Sequence, residues 1–498
     1  MSQRGNPVDP LGLRASLPKR GLQMSRTRSD ATEHPEWSES LLERYNEYLG
    51  DKRDPQDLDA DTEPDVGTDD PVSRRGETDR PRSVSLVRGK SRAVIDQHLC
   101  VRSDQLPEFR AWLGTIRASM VGLVDSEPRV GVSLVRVSVD STERLYGEVV
   151  KRVADGGLQP PLAIGMDDLV AQADGSSRII YKPVSGQGAD GQWVDGGPVD
   201  VDLRVMRPTS SRKGAGVTVA VIDGGFAADP RSRTDGWFDN VDLVHPGGML
   251  NRMDPSSLDP GAGHGSFVSG LVVQHAPQVR VRQYVATDSF GFGSAWRLMK
   301  CILEAAHDGC DIINISLGFT DPDLIGSPAI TGALEWLPDN VIVVAAAGNA
   351  GTDVPMLPGG HASVVAVGGL EFDRDPVIWS NRGPWVNFSS LAFPVISTFV
   401  PQPGASNPTP WAAWAGTSFA APQVSGELAG LLSQGKSPSE ALDILRASAI
   451  GTDPDFGHLL WLEPETYDVL APHLESLFTE VEIQKRARPA VMGRSRER

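Results

Sequence analysis

From Val217 onward the chain alternates short, unbroken apolar runs with helix-patterned stretches, and few folds accept that rhythm. VTVAVI (217–222), the run 279–285, IINI (312–315), VIVVAAA (341–347) and 364–367 are short and show little polar alternation. Strands of that kind are buried on both faces, as in a parallel sheet. Between several of them, the stretches 294–307 and 328–336 read as helices, the crossovers that parallel neighbours require. The expected fold class is therefore α/β, a mostly parallel sheet with helices on both faces.

Parallel sheets collect functional groups at the carboxyl ends of their strands. Asp223 directly follows VTVAVI and precedes Gly224 and Gly225. Asn349 closes the run VIVVAAAGN in a Gly turn, and His264 lies between two glycines at the start of an apolar helix. Ser418 opens a second apolar helix, with Gly416 before it and Pro422 near its start. Taken singly these are a turn Asp, a turn Asn, a capping His and an N-cap Ser. Taken together they supply one reaction. A serine alcohol is a poor nucleophile without a base in hydrogen-bond reach, and an imidazole with a free pKa of ~6.5 is that base. A carboxylate fixes its tautomer. A side-chain amide and a helix N-terminus favour a developing oxyanion.

The segments AVIDGG, GHGSFVSG, AAAGNAG and GTSFAAP, in that order, resemble the subtilisin-like serine proteases, the subtilase family. The resemblance covers about 205–450. His264, Gly265, Ser266, Val268, Ser269 and Gly270 match the family's histidine segment, and GTSFAAP matches its serine segment at every fixed position. Gly224 departs mildly, standing where a small hydroxyl residue is commoner. The resemblance implies a serine endopeptidase working through an acyl-enzyme, with Asp223, His264 and Ser418 as the triad and Asn349 as the oxyanion donor. It also implies that Ser316, Leu317 and Gly318 pair with the substrate backbone. Ala346, Ala347 and Gly348 then form one wall of the first specificity pocket, and Pro358, after Met356 and Leu357, closes the other. No acidic residue occurs in these stretches, so the expected preference at the cleaved bond is moderately apolar rather than Lys or Arg. The substrate class is peptide or protein, with no cofactor and no metal site. Two other readings stay open: a partner-regulated or silent protease in a larger assembly, and a non-catalytic peptide-binding descendant.

The remainder divides by composition. Residues 1–90 read as a disordered polar leader with an acidic run at 51–70 and a short helix at 39–48. Residues 91–185 read as a small α+β module: strands at 93–101, 130–139 and 177–181, a helix over 103–120 with Ser103 as its N-cap, and a helix over 141–153. It is either an accessory domain or, as the resemblance allows, a propeptide-like chaperone or inhibitor removed in the linker that follows. Residues 186–204 are that Gly/Asp-rich linker, 205–465 the peptidase domain, and 466–498 a C-terminal helix and basic tail.

The chain carries 47 basic and 65 acidic residues for a net charge of −18, which argues against nucleic-acid binding. No stretch approaches the roughly 20 apolar residues of a membrane span, and the amino terminus lacks the apolar core of a secretion signal. The expectation is a cytoplasmic protein with no membrane association and a regulatory partner acting through residues 1–200. Cys100, Cys301 and Cys310 make an odd count at irregular spacing, which does not suit a disulfide framework or a metal site.

Overall fold

The computed structural model describes residues 83–87, 92–155, 163–172, 212–225, 241–243, 263–288, 290–399 and 411–462, with Asn46 and Gly261 as isolated positions. The strand expected at 177–181, the linker 186–204, the tail from 466 and nearly all of the leader lie outside the described residues.

The first folded region runs β1 (Val84–Val87), β2 (Arg92–Arg102), α1 (Leu106–Thr115), β3 (Ser119–Glu127), β4 (Val132–Ser138), α2 (Thr142–Asp155) and β5 (Ile164–Gln172). Its strands pair antiparallel in the order β3-β4-β2-β5, with β1 on β2. Helices α1 and α2 bury Phe109, Leu113, Leu145 and Val149 against Leu99, Val101, Val135 and Met166 on one sheet face. Two expectations need correction. The helix expected to run to Met120 ends at Thr115, and the chain turns into β3. Ser103 lies in a 3₁₀ turn with its hydroxyl 2.8 Å from that of Ser133, and α1 begins after Gln105 with no side-chain cap.

The second region adds β6 (Thr218–Asp223), β7 (Val241–Leu243), α3 (His264–His275), β8 (Arg280–Val285), β9 (Phe292–Ser294), α4 (Ala295–His307), β10 (Ile312–Ile315) and β11 (Leu317–Thr320). It continues with α5 (Pro328–Trp336), β12 (Ile342–Ala346), β13 (Met356–Leu357), β14 (Val365–Glu371), β15 (Phe388–Phe393), β16 (Val395–Thr398) and β17 (Trp411–Trp414). It closes with α6 (Thr417–Leu432), α7 (Pro438–Ala447), β18 (Gly451–Asp453) and β19 (Gly457–Leu459). A nine-stranded sheet takes the order β18-β19-β15-β14-β12-β10-β6-β8-β7. Every pairing is parallel except that of β18 with β19. The period-2 alternation of β6 shows why helices must cover both faces. Val219 and Val221 join a core with α3 and α6, whereas Ala220 and Ile222 join one with α4 and α5.

The two regions share that second core. Cys100, Val132, Leu134 and Val170 of the small sheet pack with Trp296, Met299, Ala329 and Ile330. Polar contacts fix the orientation. Asp167 accepts the Trp296 backbone N–H at 3.0 Å at the start of α4, and Asp125 accepts the Trp296 indole at 3.1 Å and pairs with Lys300 at 2.7 Å. Buried Arg92 donates to Asp168 from Nε at 2.5 Å and Nη2 at 2.9 Å, and from Nη1 to Asp321 at 2.7 Å. Its guanidinium lies 5.4 Å from the Tyr146 ring centroid.

Strand β5 leaves the small sheet and enters the second region. Ala171 pairs antiparallel with Phe292 of β9 on one edge and with Gly318 of β11 on the other. Leu169 and Val170 pair with Ser294 and Gly293, and Gln172 pairs with Leu317.

Candidate active site

The sheet brings its polar residues together at the carboxyl ends of β6, β10 and β12, where the sequence pattern puts them. Asp223 is the last residue of β6, and one of its oxygens accepts the Gly224 backbone N–H at 2.6 Å. His264 opens α3 after Gly263, whose φ of +83° is a left-handed turn that favours glycine. Gly265 allows close approach: a Cβ there would stand 2.7 Å from the Gly224 carbonyl oxygen. The helix start therefore presses against the Asp223–Gly224 turn, and His264 Nδ1 comes within 2.8 and 3.0 Å of the two Asp223 oxygens. Gln283 braces the same turn, donating to the Gly224 carbonyl at 2.9 Å and accepting from Ser269 at 2.8 Å. The His264 ring packs 5.6 Å from Trp414 and 5.2 Å from Phe419, centroid to centroid.

Ser418 is the second residue of α6. Pro422 stands one turn further along and lacks the N–H that would reach back to the Ser418 carbonyl. That carbonyl accepts instead from Ser316 Oγ at 2.8 Å, and Ser418 Oγ donates to the Ser316 carbonyl at 2.9 Å. This reciprocal clasp joins the nucleophile candidate to the end of β10. Asn314 donates to Ser316 Oγ at 3.0 Å and accepts from Ser425 at 3.0 Å, which extends the clasp into α6.

The structure does not make the serine–histidine hydrogen bond that the triad pattern predicts. Ser418 points to Ser316, and His264 Nε2 is buried with no hydrogen-bond partner among the described residues. Such contacts are often long before substrate arrives. Asp223, His264 and Ser418 are all fully buried.

Asn349 follows β12, and its amide oxygen accepts from both the backbone N–H and the hydroxyl of Thr417 at 2.9 Å. That anchoring turns the amide nitrogen to the opposite side. Gly348 N–H donates to the same Thr417 hydroxyl at 3.1 Å, so the end of β12 is tied to the start of α6. Ala346 and Ala347 are buried in that strand end. Leu317 and Gly318 lie on β11 and are paired with β5, and Pro358 follows β13. Sequence reasoning gave no role to Thr417, Asn314, Ser425 or Gln283. Of these only Thr417 carried a signal, as a fixed position beside Ser418. The others act through partners distant in the chain.

A family model described as "Subtilase family" matches residues 214–461. The chain is 30% identical over 256 residues to the thermophilic serine proteinase of Bacillus sp. (strain AK1), and it spans 57% of that relative. It is 29% identical over 249 residues to subtilisin Savinase of Lederbergia lenta, covering 84% of it. Among solved structures, fervidolysin from Fervidobacterium pennivorans aligns with a TM-score of 0.50 at 18% identity, over 76% of this chain and 61% of that one, a likeness of fold. Subtilisin DY of Bacillus licheniformis is 30% identical over 236 residues, which are 45% of this chain and 78% of the relative. Identity sustained across that share of a whole subtilisin, with the family model matching the residues that build the strand-end cluster, identifies this chain as a member of the subtilase family.

Proposed function

We propose that the chain is a serine endopeptidase that cleaves peptide bonds through an acyl-enzyme. Asp223 holds the His264 tautomer, and His264 takes the Ser418 proton as Oγ attacks the substrate carbonyl. His264 then returns that proton to the leaving amine, and water resolves the ester by the same steps in reverse. Asn349 and the backbone N–H of Ser418 stabilise the oxyanion. The observation that carries this reading is the 2.8 Å contact between Asp223 and His264, with Nε2 left to serve a proton at the start of α6.

A second reading concerns residues 91–185. The pairing of Ala171 and Gln172 with Gly318 and Leu317 is the pairing a bound peptide would make by strand addition. It favours a propeptide-like inhibitor over a neutral accessory domain, and a protease held silent by its own module. The test is intact mass over time for wild type beside Ser418→Ala, with fluorophosphonate labelling of both. Wild type is expected to label and to lose the mass of its amino-terminal part through a cut shortly after Gln172. Ser418→Ala should do neither. A wild-type chain that does not label, even after an added protease has trimmed off its amino-terminal part, would sink the endopeptidase reading. One that labels but stays whole would sink the propeptide reading alone.

A further inference from the structure

We infer that the leader segment around Asn46 is a strap within the same chain, seated on the free edge of β1, and that it strengthens the hold of β5 on the cleft.

Strand β1 has one neighbour among the described strands, β2. Its other side is an open edge, and such an edge presents backbone groups that need a cover. Val84 shows what covers this one. Its N–H donates to the Asn46 side-chain oxygen at 2.9 Å, and its carbonyl accepts from the Asn46 side-chain nitrogen at 3.0 Å. A carboxamide used in this way reproduces the pair of bonds that opposed residues exchange in an antiparallel ladder. The two residues stand 38 positions apart, so the contact is tertiary and not a turn. Asn46 is itself helical, and covering with a helix is one of the ways folded chains close a strand edge. The sequence suits that seat. At helical spacing Leu42, Tyr45 and Leu49 fall to one side of Asn46, and Glu43, Arg44 and Glu47 fall to the other.

The edge matters because of what lies behind it. Val84 is 3% exposed and shares a small core with Ile95 of β2, Leu169 of β5 and Phe292 of β9. Leu169 belongs to the strand that enters between β9 and β11. Strand β1 therefore backs one end of the cleft occupant. It is four residues long and pairs with a single described strand, and a short two-stranded pairing has little stability of its own. Fixing the outer edge of β1 restrains Val84, and through Val84 the packing of Leu169. The chain of contacts runs from the leader to the cleft in three steps: Asn46 to β1 by hydrogen bonds, β1 to β5 through the shared core, and β5 to β9 and β11 by strand pairing.

The test is site-resolved hydrogen–deuterium exchange on the full chain carrying Ser418→Ala, which keeps it whole whatever its activity. Asn46→Leu keeps the size and the helix propensity of the side chain but can neither donate nor accept. It should speed exchange of the Val84 N–H about tenfold, the worth of the bonds it removes. Exchange across Leu169 to Gln172 should rise by roughly threefold, because local opening of β1 uncovers that end of β5. The amides of β10 and β12 should not change. Glu47→Ala, on the opposite side of the helix, should leave Val84 and β5 as they are. Unchanged exchange at Val84 in Asn46→Leu overturns the strap, and so does an equal acceleration by Glu47→Ala. A faster Val84 beside an unchanged β5 overturns the link to the cleft. Protection of Val84 that falls when the parent chain is diluted overturns a strap within one chain and assigns the leader to a second copy.

Discussion

Thr417 illustrates how much a single side chain contributes to this site. By donating to the Asn349 oxygen at 2.9 Å, it decides which end of that amide is presented away from α6. On the proposed mechanism, Asn349→Ala lowers kcat by ~10² to 10³, a magnitude that comes from a subtilisin, a relative of this chain. Thr417→Val keeps the shape and removes the hydroxyl half of the anchor, leaving the backbone N–H on the Asn349 oxygen, so a loss of about tenfold is expected, the worth of one displaced hydrogen bond. Both are checked by steady-state kinetics, and KM is expected to change much less than kcat in each. Asp223, His264, Asn349 and Ser418 were legible in the sequence because each is pinned by a local pattern: a strand end, a Gly turn or a helix start. The orientation of Ser418 was not. It depends on the Ser316 carbonyl, whose position is set by the sheet and not by the neighbours of Ser418 in sequence.

Strand β5 was missed at the scale of elements, and its composition explains why. In the stretch 164–172 the adjacent Asp167 and Asp168 interrupt the apolar pattern, so it does not read as a buried strand. Both carboxylates are satisfied only in three dimensions, Asp167 by the start of α4 and Asp168 by Arg92 of β2. Arg92 thus holds β5 to its neighbour strand and, through Asp321, to the segment after β11. Replacing one partner of a buried ion pair costs ~3–5 kcal/mol, because the other is left without its counter-charge. Arg92→Met should therefore lower the unfolding free energy read from urea titration by a margin of that order. A variant as stable as wild type would show that the cluster contributes nothing to the docking of β5. The strands of the nine-stranded sheet were legible because their unbroken apolar runs match burial on both faces, as the two cores flanking β6 show.

For the whole molecule, the parallel-sheet half could be read from alternation alone, but its union with the amino-terminal module could not. That union consists of contacts such as Val170 with the α4 face and Asp125 with Lys300, which no local pattern announces. It also gives stability a pH dependence. Burial pushes the Asp168 carboxyl up to about 6 against the pull of Arg92, with Asp321 and Asp167 adding to the rise. The folded chain therefore holds that proton more tightly than an unfolded Asp of pKa ~3.9 does. The contribution is fully present below ~3.9 and is lost as pH rises through about 6. Asp168→Asn removes this dependence. From pH 4 to 7.5, wild type should lose on the order of 2–3 kcal/mol relative to that variant in urea unfolding, and parallel curves would refute the assignment. The insertion of β5 between β9 and β11 has a last consequence, in mass action. On the proposed propeptide reading, a strand tethered to the cleft it occupies acts at an effective concentration on the order of millimolar. On that reading a dilute peptide from solution competes with an occupant that cannot diffuse away, and a cut beyond Gln172 would make occupant and cleft two molecules, after which dilution would govern how many clefts are open.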